Sequence, residues 1–272
     1  MKWVLLEKEY IVIVTPKEYE SILEKVPDIN WVDVQSMKAY RKNGNGTNFV
    51  LAIPWKEEMD YKHMKKIALY SIQTIQKYKK GQINLGINME GKNIIGCIIL
   101  PDEKSMEDIS ILDILKIAML EPKRQYEYIY DTVCQQLDKK FQENNYCEFK
   151  DNSCIANRNG YTKDCKMGCC YSFECVGMLN IINRKQCIHL QNKHCDTTCI
   201  ACKLYTCKYL REKGIYFDCN KILIIDCFLN KKQKEIIQKN FFKTREQILD
   251  KLLEKNKMPY WLYYLKDECR IK

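Results

Sequence analysis

Residues 82–100 read QINLGINMEGKNIIGCIIL, and this stretch decides what the N-terminal part of the chain is. Ile83, Leu85 and Ile87 alternate with polar neighbours, so they share one face at the period of two that a strand imposes. The segment NMEG (88–91) then supplies turn chemistry, and NIIGCIIL (93–100) supplies an apolar strand to pair with it. The spacing predicts a β-hairpin.

Working outward, WVLL (3–6) and YIVIV (10–14) read as two more strands. Thr15-Pro16-Lys17-Glu18 follows as a helix start, with Thr as N-cap, Pro at the first position and Glu returning a bond to the cap. Pro27 closes that helix. Strands at WVDV (31–34) and NFVLAI (48–53) flank the GNG turn at 44–46. Met64, Ile67, Ala68, Ile72, Ile75 and Tyr78 recur at helical spacing, and Gly81 stops the helix. Ser105 to Asp108 opens another helix, which Pro122 interrupts. A further helix carries Tyr126, Ile129, Val133, Leu137 and Phe141 on one stripe as far as ENN (143–145). The expected architecture is α+β: a mixed sheet-and-helix domain over 1–145, then a cysteine-rich metal-binding module with C-terminal helices over 146–272. In that second part KKQKEIIQKNFF (231–242) is a helix, Thr244 to Gln247 is a capping box opening the next, and Pro259 ends it. The aromatic tail PYWLYYLKDEC (259–269) is expected to pack back onto the fold.

Cysteine use sets the chemistry. Thirteen of the 16 cysteines lie between Cys147 and Cys227, so they belong to a module. The opening MKWVLLEKEYIVIV has charges inside its apolar run and lacks a small-residue cleavage site, unlike a signal peptide. The longest apolar run, IIGCIIL (94–100), is far short of the roughly 18 residues of a membrane span. A cytoplasmic protein is expected, and in a reducing compartment clustered thiols act as metal ligands or redox groups more often than as disulfides.

The informative spacings are C-x3-C-C-x4-C at Cys165, Cys169, Cys170 and Cys175, and C-x3-C-x2-C-x4-C at Cys195, Cys199, Cys202 and Cys207, with Cys187 between them. Gaps of two to four residues let one turn present two sulfurs to a tetrahedral centre while a second pair arrives from elsewhere. The adjacent Cys169 and Cys170 side chains diverge, which suits two centres, or one ligand beside one packed thiol. Zinc and iron–sulfur clusters both accept four thiolates, and spacing alone leaves both open. The paired C-x2-C spacing of zinc fingers is absent, and the chain has only three histidines. His63 reads as a solvated helix residue; His189, beside Cys187, is a candidate for a Cys₃His site or for a hydrogen bond to a ligating sulfur.

The order GCC (168–170), CIHL (187–190), Cys195 and CKLYTC (202–207) resembles the CxxCxxCC family of zinc- or iron-chelating domains. That family is similar to the cysteine-rich region of flagellin lysine N-methylase. The resemblance spans about residues 147–227 and implies Cys170, Cys187, Cys195 and Cys202 as ligands, with Cys165 and Cys169 next. It also implies an iron–sulfur centre working with S-adenosylmethionine. The chain departs from the family in replacing the leading CxxC by Cys165, lacking the Arg-Pro before the last motif, and adding Cys199, Cys207, Cys219 and Cys227.

Other chemistry is thinly represented. Dinucleotide, P-loop, zinc-protease and serine-hydrolase motifs are all missing from the sequence. Cys195, Cys199 and Cys202 reproduce the C-x3-C-x2-C spacing of radical S-adenosylmethionine enzymes, but only 70 residues follow, and they read as helices rather than barrel strands. Asn157, Arg158, Asp151, Asp164, Glu174 and Asp196 are expected to be solvated loop residues. The formal charge of +10 falls to about +6 if two four-thiolate centres carry about −2 each. Residues 228–272 hold 12 Lys and Arg against 6 Asp and Glu. The functional expectation is therefore a redox or S-adenosylmethionine-dependent modifying enzyme acting on a protein or small molecule. The alternative is a zinc-stabilised module whose basic helices bind nucleic acid or an acidic protein.

Overall fold

A computed structural model describes residues 1–26, 28–42, 46–56, 59–101, 110–148, 150, 154–155, 189–191, 194–195 and 197–254. The chain is α+β, and it divides into two compact units, Met1–Glu121 and Pro122–Lys272.

The first unit is built on one mixed sheet. β1 (Lys2–Leu6) and β2 (Glu9–Val14) form an antiparallel hairpin. Helix α1 (Pro16–Lys25) leads to β3 (Asn30–Asp33), β4 (Lys38–Arg41) and β5 (Asn48–Pro54). Helix α2 (Tyr61–Lys79) then leads to β6 (Asn84–Leu85), β7 (Ile87–Met89) and β8 (Lys92–Ile99), and α3 (Ser110–Met119) follows. The strand order is β1-β2-β8-β5-β3-β4, with β6 on β5 and β7 on β8. β2, β8, β5 and β3 run parallel. Central parallel strands are covered on both faces, which is why they read as unbroken apolar runs: Ile11 to Val14 and Val50 to Ile53 are all buried.

The hairpin read from residues 82–100 is present, pairing Ile87 with Ile94 and Met89 with Lys92. Glu90 and Gly91 both have positive φ, 52° and 72°, as a two-residue type I′ turn requires. The alternating stretch before the turn is not one strand, however. Gly86, at φ 122°, divides it into β6, parallel to β5, and β7, antiparallel to β8. A second difference lies at the far edge. The strands WVDV and NFVLAI are parallel neighbours, Asn30 opposite Phe49, because β4 intervenes and pairs antiparallel with β3. All four β4 side chains are exposed, so no apolar alternation marks it.

Both helix ends follow the expected chemistry. The Glu18 backbone N–H donates to Thr15 Oγ1 at 3.3 Å, and the Glu18 carboxylate accepts from the Thr15 N–H at 2.8 Å. At the end of α2 the Gly81 N–H bonds to the Tyr78 carbonyl and the Gln82 N–H to the Lys77 carbonyl, the paired bonds of a Schellman stop. His63 is half-buried rather than solvated, with a buried Nε2 that has no hydrogen-bond partner.

The second unit begins with α4 (Pro122–Asn144). The compact units therefore part at 121/122, whereas the sequence placed the boundary at 145. The reason is the stripe of α4: Tyr126, Ile129, Tyr130, Val133 and Leu137 are buried within this unit. The other described elements are the short ribbon β9 (Leu190–Gln191) and β10 (His194–Cys195), α5 (Ile200–Leu204), α6 (Lys208–Glu212), α7 (Leu223–Phe228), α8 (Lys231–Lys239) and α9 (Arg245–Glu254). α4 packs on α5 and α9, and α5 also packs on α8. Every side chain of α7 is buried, including Asp226, whose Oδ1 accepts from Lys234 Nζ at 2.5 Å. The helix starts expected at Ser105, the stops at Pro27 and Pro259, and the aromatic tail lie outside the described residues.

Candidate metal centre

The best-defined thiol pair sits where α5 starts. Cys199 is the N-cap of α5 and Cys202 lies three residues on, a spacing that puts both sulfurs on one side of a helical turn. Thr197 fixes the entry: its Oγ1 accepts from the Cys199 N–H at 3.2 Å.

The facing wall is the α8–α9 connection. α8 is anchored by a capping box between Asn230 and Gln233, and it ends at Asn240. The expected capping box of α9 is present, with the Thr244 N–H on Gln247 Oε1 at 3.1 Å and the Gln247 N–H on Thr244 Oγ1 at 3.3 Å. Between these two caps Phe242 has φ 58°, which turns the backbone toward the sulfurs. Cys199 Sγ donates to the Asn240 carbonyl oxygen at 3.5 Å, and the Phe242 and Lys243 backbone lies beside the pair, favouring charge on Cys202 and Cys199 respectively.

These contacts polarise the pair. Cys199 is held below the ordinary thiol range, first by the hydrogen bond from the Cys202 side chain and then by the N–H groups of Cys202, Ala201 and Lys243. Cys202 is pushed up, first by that same bond to Cys199 and then by burial. The two sulfurs thus share a proton, with negative charge favoured on Cys199. Hydrogen bonds to the charged form of a thiol favour it, and only the thiolate is a metal ligand or nucleophile.

A tyrosine on α4 holds the same turn from behind. Tyr130 donates its hydroxyl proton to the Thr198 carbonyl at 2.8 Å and accepts from the Ile200 N–H at 3.2 Å. Burial pushes this phenol above its ordinary range, so it remains a donor. Cys134, also on α4, has its sulfur 4.0 Å from the Thr198 carbonyl and is pushed up to about 12 by burial.

The other candidate ligands are not brought to this pair. Cys207 is buried at the start of α6, in a cluster with Cys154, Tyr209 and Leu210 against which Cys147 packs. Cys195 is exposed on β10. The four-cysteine spacing from 195 to 207 therefore separates into the pair Cys199 and Cys202, a buried Cys207 and an exposed Cys195. Cys165, Cys169, Cys170, Cys175 and Cys187 lie outside the described residues, as do Asn157, Arg158, Asp151, Asp164, Glu174 and Asp196. Among the described residues, no three His, Cys, Asp or Glu side chains gather closely enough to hold a metal ion. Cys219 and Cys227 are fully buried, and burial pushes Cys219 up to about 12, as expected of packed thiols. Among the described residues, no helix is long and apolar enough to cross a membrane.

Sequence reasoning missed Tyr130, Thr197 and the 240–243 connection. Tyr130 and the 240–243 connection reach the thiol turn across about 40 to 70 residues of chain, which leaves no local motif, while Thr197 acts two residues from Cys199 through a side-chain turn that many threonines make. No family model, curated protein or solved structure matches the chain.

Proposed function

We propose that the chain is a metal–thiolate protein whose centre is founded on Cys199 and Cys202. The observation that carries this reading is the Cys199–Cys202 pair itself: two thiols three residues apart at the start of α5, seated against the α8–α9 connection and interacting with each other so that Cys199 is held below the ordinary thiol range. Only the thiolate is a metal ligand, and two sulfurs presented by one helical turn make half of a thiolate site.

Two thiolates are half of a tetrahedral set. The resemblance to the CxxCxxCC family supports Cys165, Cys169, Cys170 and Cys187 as the pool for the remaining ligands, and the spacing of the first cluster adds Cys175. An iron–sulfur cluster would suit the all-sulfur pool and would supply one-electron chemistry, alone or with S-adenosylmethionine. We read the protein on that basis as a redox or S-adenosylmethionine-dependent modifying enzyme of a reducing, cytoplasmic setting, with a protein or small molecule as substrate. The chain's own contribution is to bias Cys199 toward the thiolate, to keep Cys202 beside it on the same turn, and to bury Cys199.

The second reading is a structural zinc site in a module that binds nucleic acid or an acidic protein, and the basic excess of residues 228–272, 12 Lys and Arg against 6 Asp and Glu, is compatible with it. Anaerobic purification with metal analysis and a visible spectrum separates the two. Iron with sulfide and a broad visible absorption that bleaches on reduction is the expected result. A colourless protein with stoichiometric zinc would overturn the iron–sulfur reading in favour of the zinc module.

A further inference from the structure

Tyr130 is the one side-chain group on α4 that grips the backbone on both sides of Cys199. Its hydroxyl bonds to the carbonyl of the residue before Cys199 and to the N–H of the residue after it, at 2.8 and 3.2 Å. Cys199 is the N-cap, where the chain changes from extended to helical, so these two bonds fix the dihedrals that aim its sulfur. The ring is itself 3% exposed and is locked into the α4 stripe, so the hydroxyl cannot swing away to water.

We propose that Tyr130 is the positioning residue of the Cys199–Cys202 centre, holding Cys199 in the orientation in which it meets both Cys202 and a metal. The inference rests on the metal–thiolate reading for its consequence but not for its geometry. The hydroxyl does not touch the sulfur, so it works entirely through the Thr198 and Ile200 peptide groups. Partners of this kind behind a ligand typically change metal affinity by about 10–100-fold when removed.

The structure supplies its own control. Tyr126 lies one helical turn earlier on α4, is also buried, and its hydroxyl accepts from Gln233 Nε2 at 2.8 Å without a described contact to the thiol turn. Tyr126→Phe and Tyr130→Phe each delete one buried hydroxyl from the same helix face. The full-length protein and both variants are purified anaerobically, and transfer of bound metal to a chromophoric chelator is followed, with thermal melting recorded alongside. Tyr130→Phe is expected to give up metal about 10–100-fold more readily and to shift the visible spectrum of the centre, with Tyr126→Phe matching the parent. Equal behaviour of the two variants, whether both unchanged or both shifted, would overturn the assignment.

If the parent protein holds no metal, the metal–thiolate reading fails, and the positioning role is then read on the free thiols. Alkylation by iodoacetamide, mapped to Cys199 and Cys202 by mass spectrometry, is expected to run several-fold faster in Tyr130→Phe than in Tyr126→Phe. Identical rates would remove Tyr130 from the site.

Discussion

Lys234 and Asp226 show how costly a single side chain can be in this protein. The ammonium donates to Asp226 Oδ1 at 2.5 Å and to Asn220 Oδ1 at 2.9 Å, and the two charged side chains are only 11% and 5% exposed. Removing one member of such a pair leaves a charge buried without its counter-ion. Asp226→Ala is therefore expected to cost about 3–5 kcal/mol in urea unfolding, whereas the double change Asp226→Leu with Lys234→Met should recover most of it. A double variant as unstable as the single one would show that the pair adds net stability and is not merely tolerated. The thiols differ among themselves in the same way. Cys97 lies fully buried in the sheet core and is pushed up to about 12 by that burial, so it behaves as a small apolar residue. Cys199, of the same residue type, is held below the ordinary thiol range first by its interaction with Cys202. The C-x2-C spacing marks that partner in the sequence, whereas the part played by the Lys243 backbone, some 40 residues further on, leaves no local mark.

At the scale of elements, what repeats locally could be read, and what depends on a distant neighbour could not. The caps at Thr15 and Thr244, the Gly81 stop and the Glu90-Gly91 turn all follow from short-range chemistry, and all are present. The edge strand β4 escaped notice because its side chains face water and its pairing with β3 is purely a backbone matter. The division of residues 84–89 into two strands turns on one dihedral at Gly86.

Two predictions belong at this scale. In β8, a Cβ on Gly96 would lie 3.0 Å from Ile11 Cδ1 and from the Leu51 carbonyl oxygen, since strands crowd it from both sides. Gly96→Val should cost about 1–3 kcal/mol by overpacking, measured by chemical denaturation; a neutral effect would mean the central strands can part locally. At α1, the Glu18 carboxyl is held below its ordinary range by the terminal ammonium of Met1 and then by the Thr15 N–H. A depressed carboxyl stabilises the fold above its unfolded pKa, and that contribution is lost as pH falls through the folded value. Glu18→Gln should therefore lower stability at neutral pH and flatten the acid limb of the stability profile, by a small amount because the pair is solvent-screened. An unchanged acid limb would show that the cap holds without the charge.

On the scale of the whole molecule, the two units divide the work. The first is a sheet whose central strands are buried on both faces, and its described cysteine, Cys97, is a core residue. The second carries the other described cysteines, and its helices place a polarised pair against a capped connection. The α+β class and the concentration of thiols in the second part were legible from periodicity and spacing. Which thiols belong together was not, since C-x3-C-x2-C-x4-C runs continuously in sequence yet Cys207 turns instead toward Cys154. Spacing constrains only what one turn can present. Tertiary packing decides whether the next turn faces the same way.

The most direct test compares metal content per chain in the anaerobically purified parent, in Cys199→Ser/Cys202→Ser, and in Cys97→Ala/Cys227→Ala as the buried-thiol control. The expected result is stoichiometric metal in the parent and the control, and its loss from the Cys199/Cys202 variant while that variant stays folded by circular dichroism. A parent without bound metal, or a Cys199/Cys202 variant that retains all of it, would contradict the account.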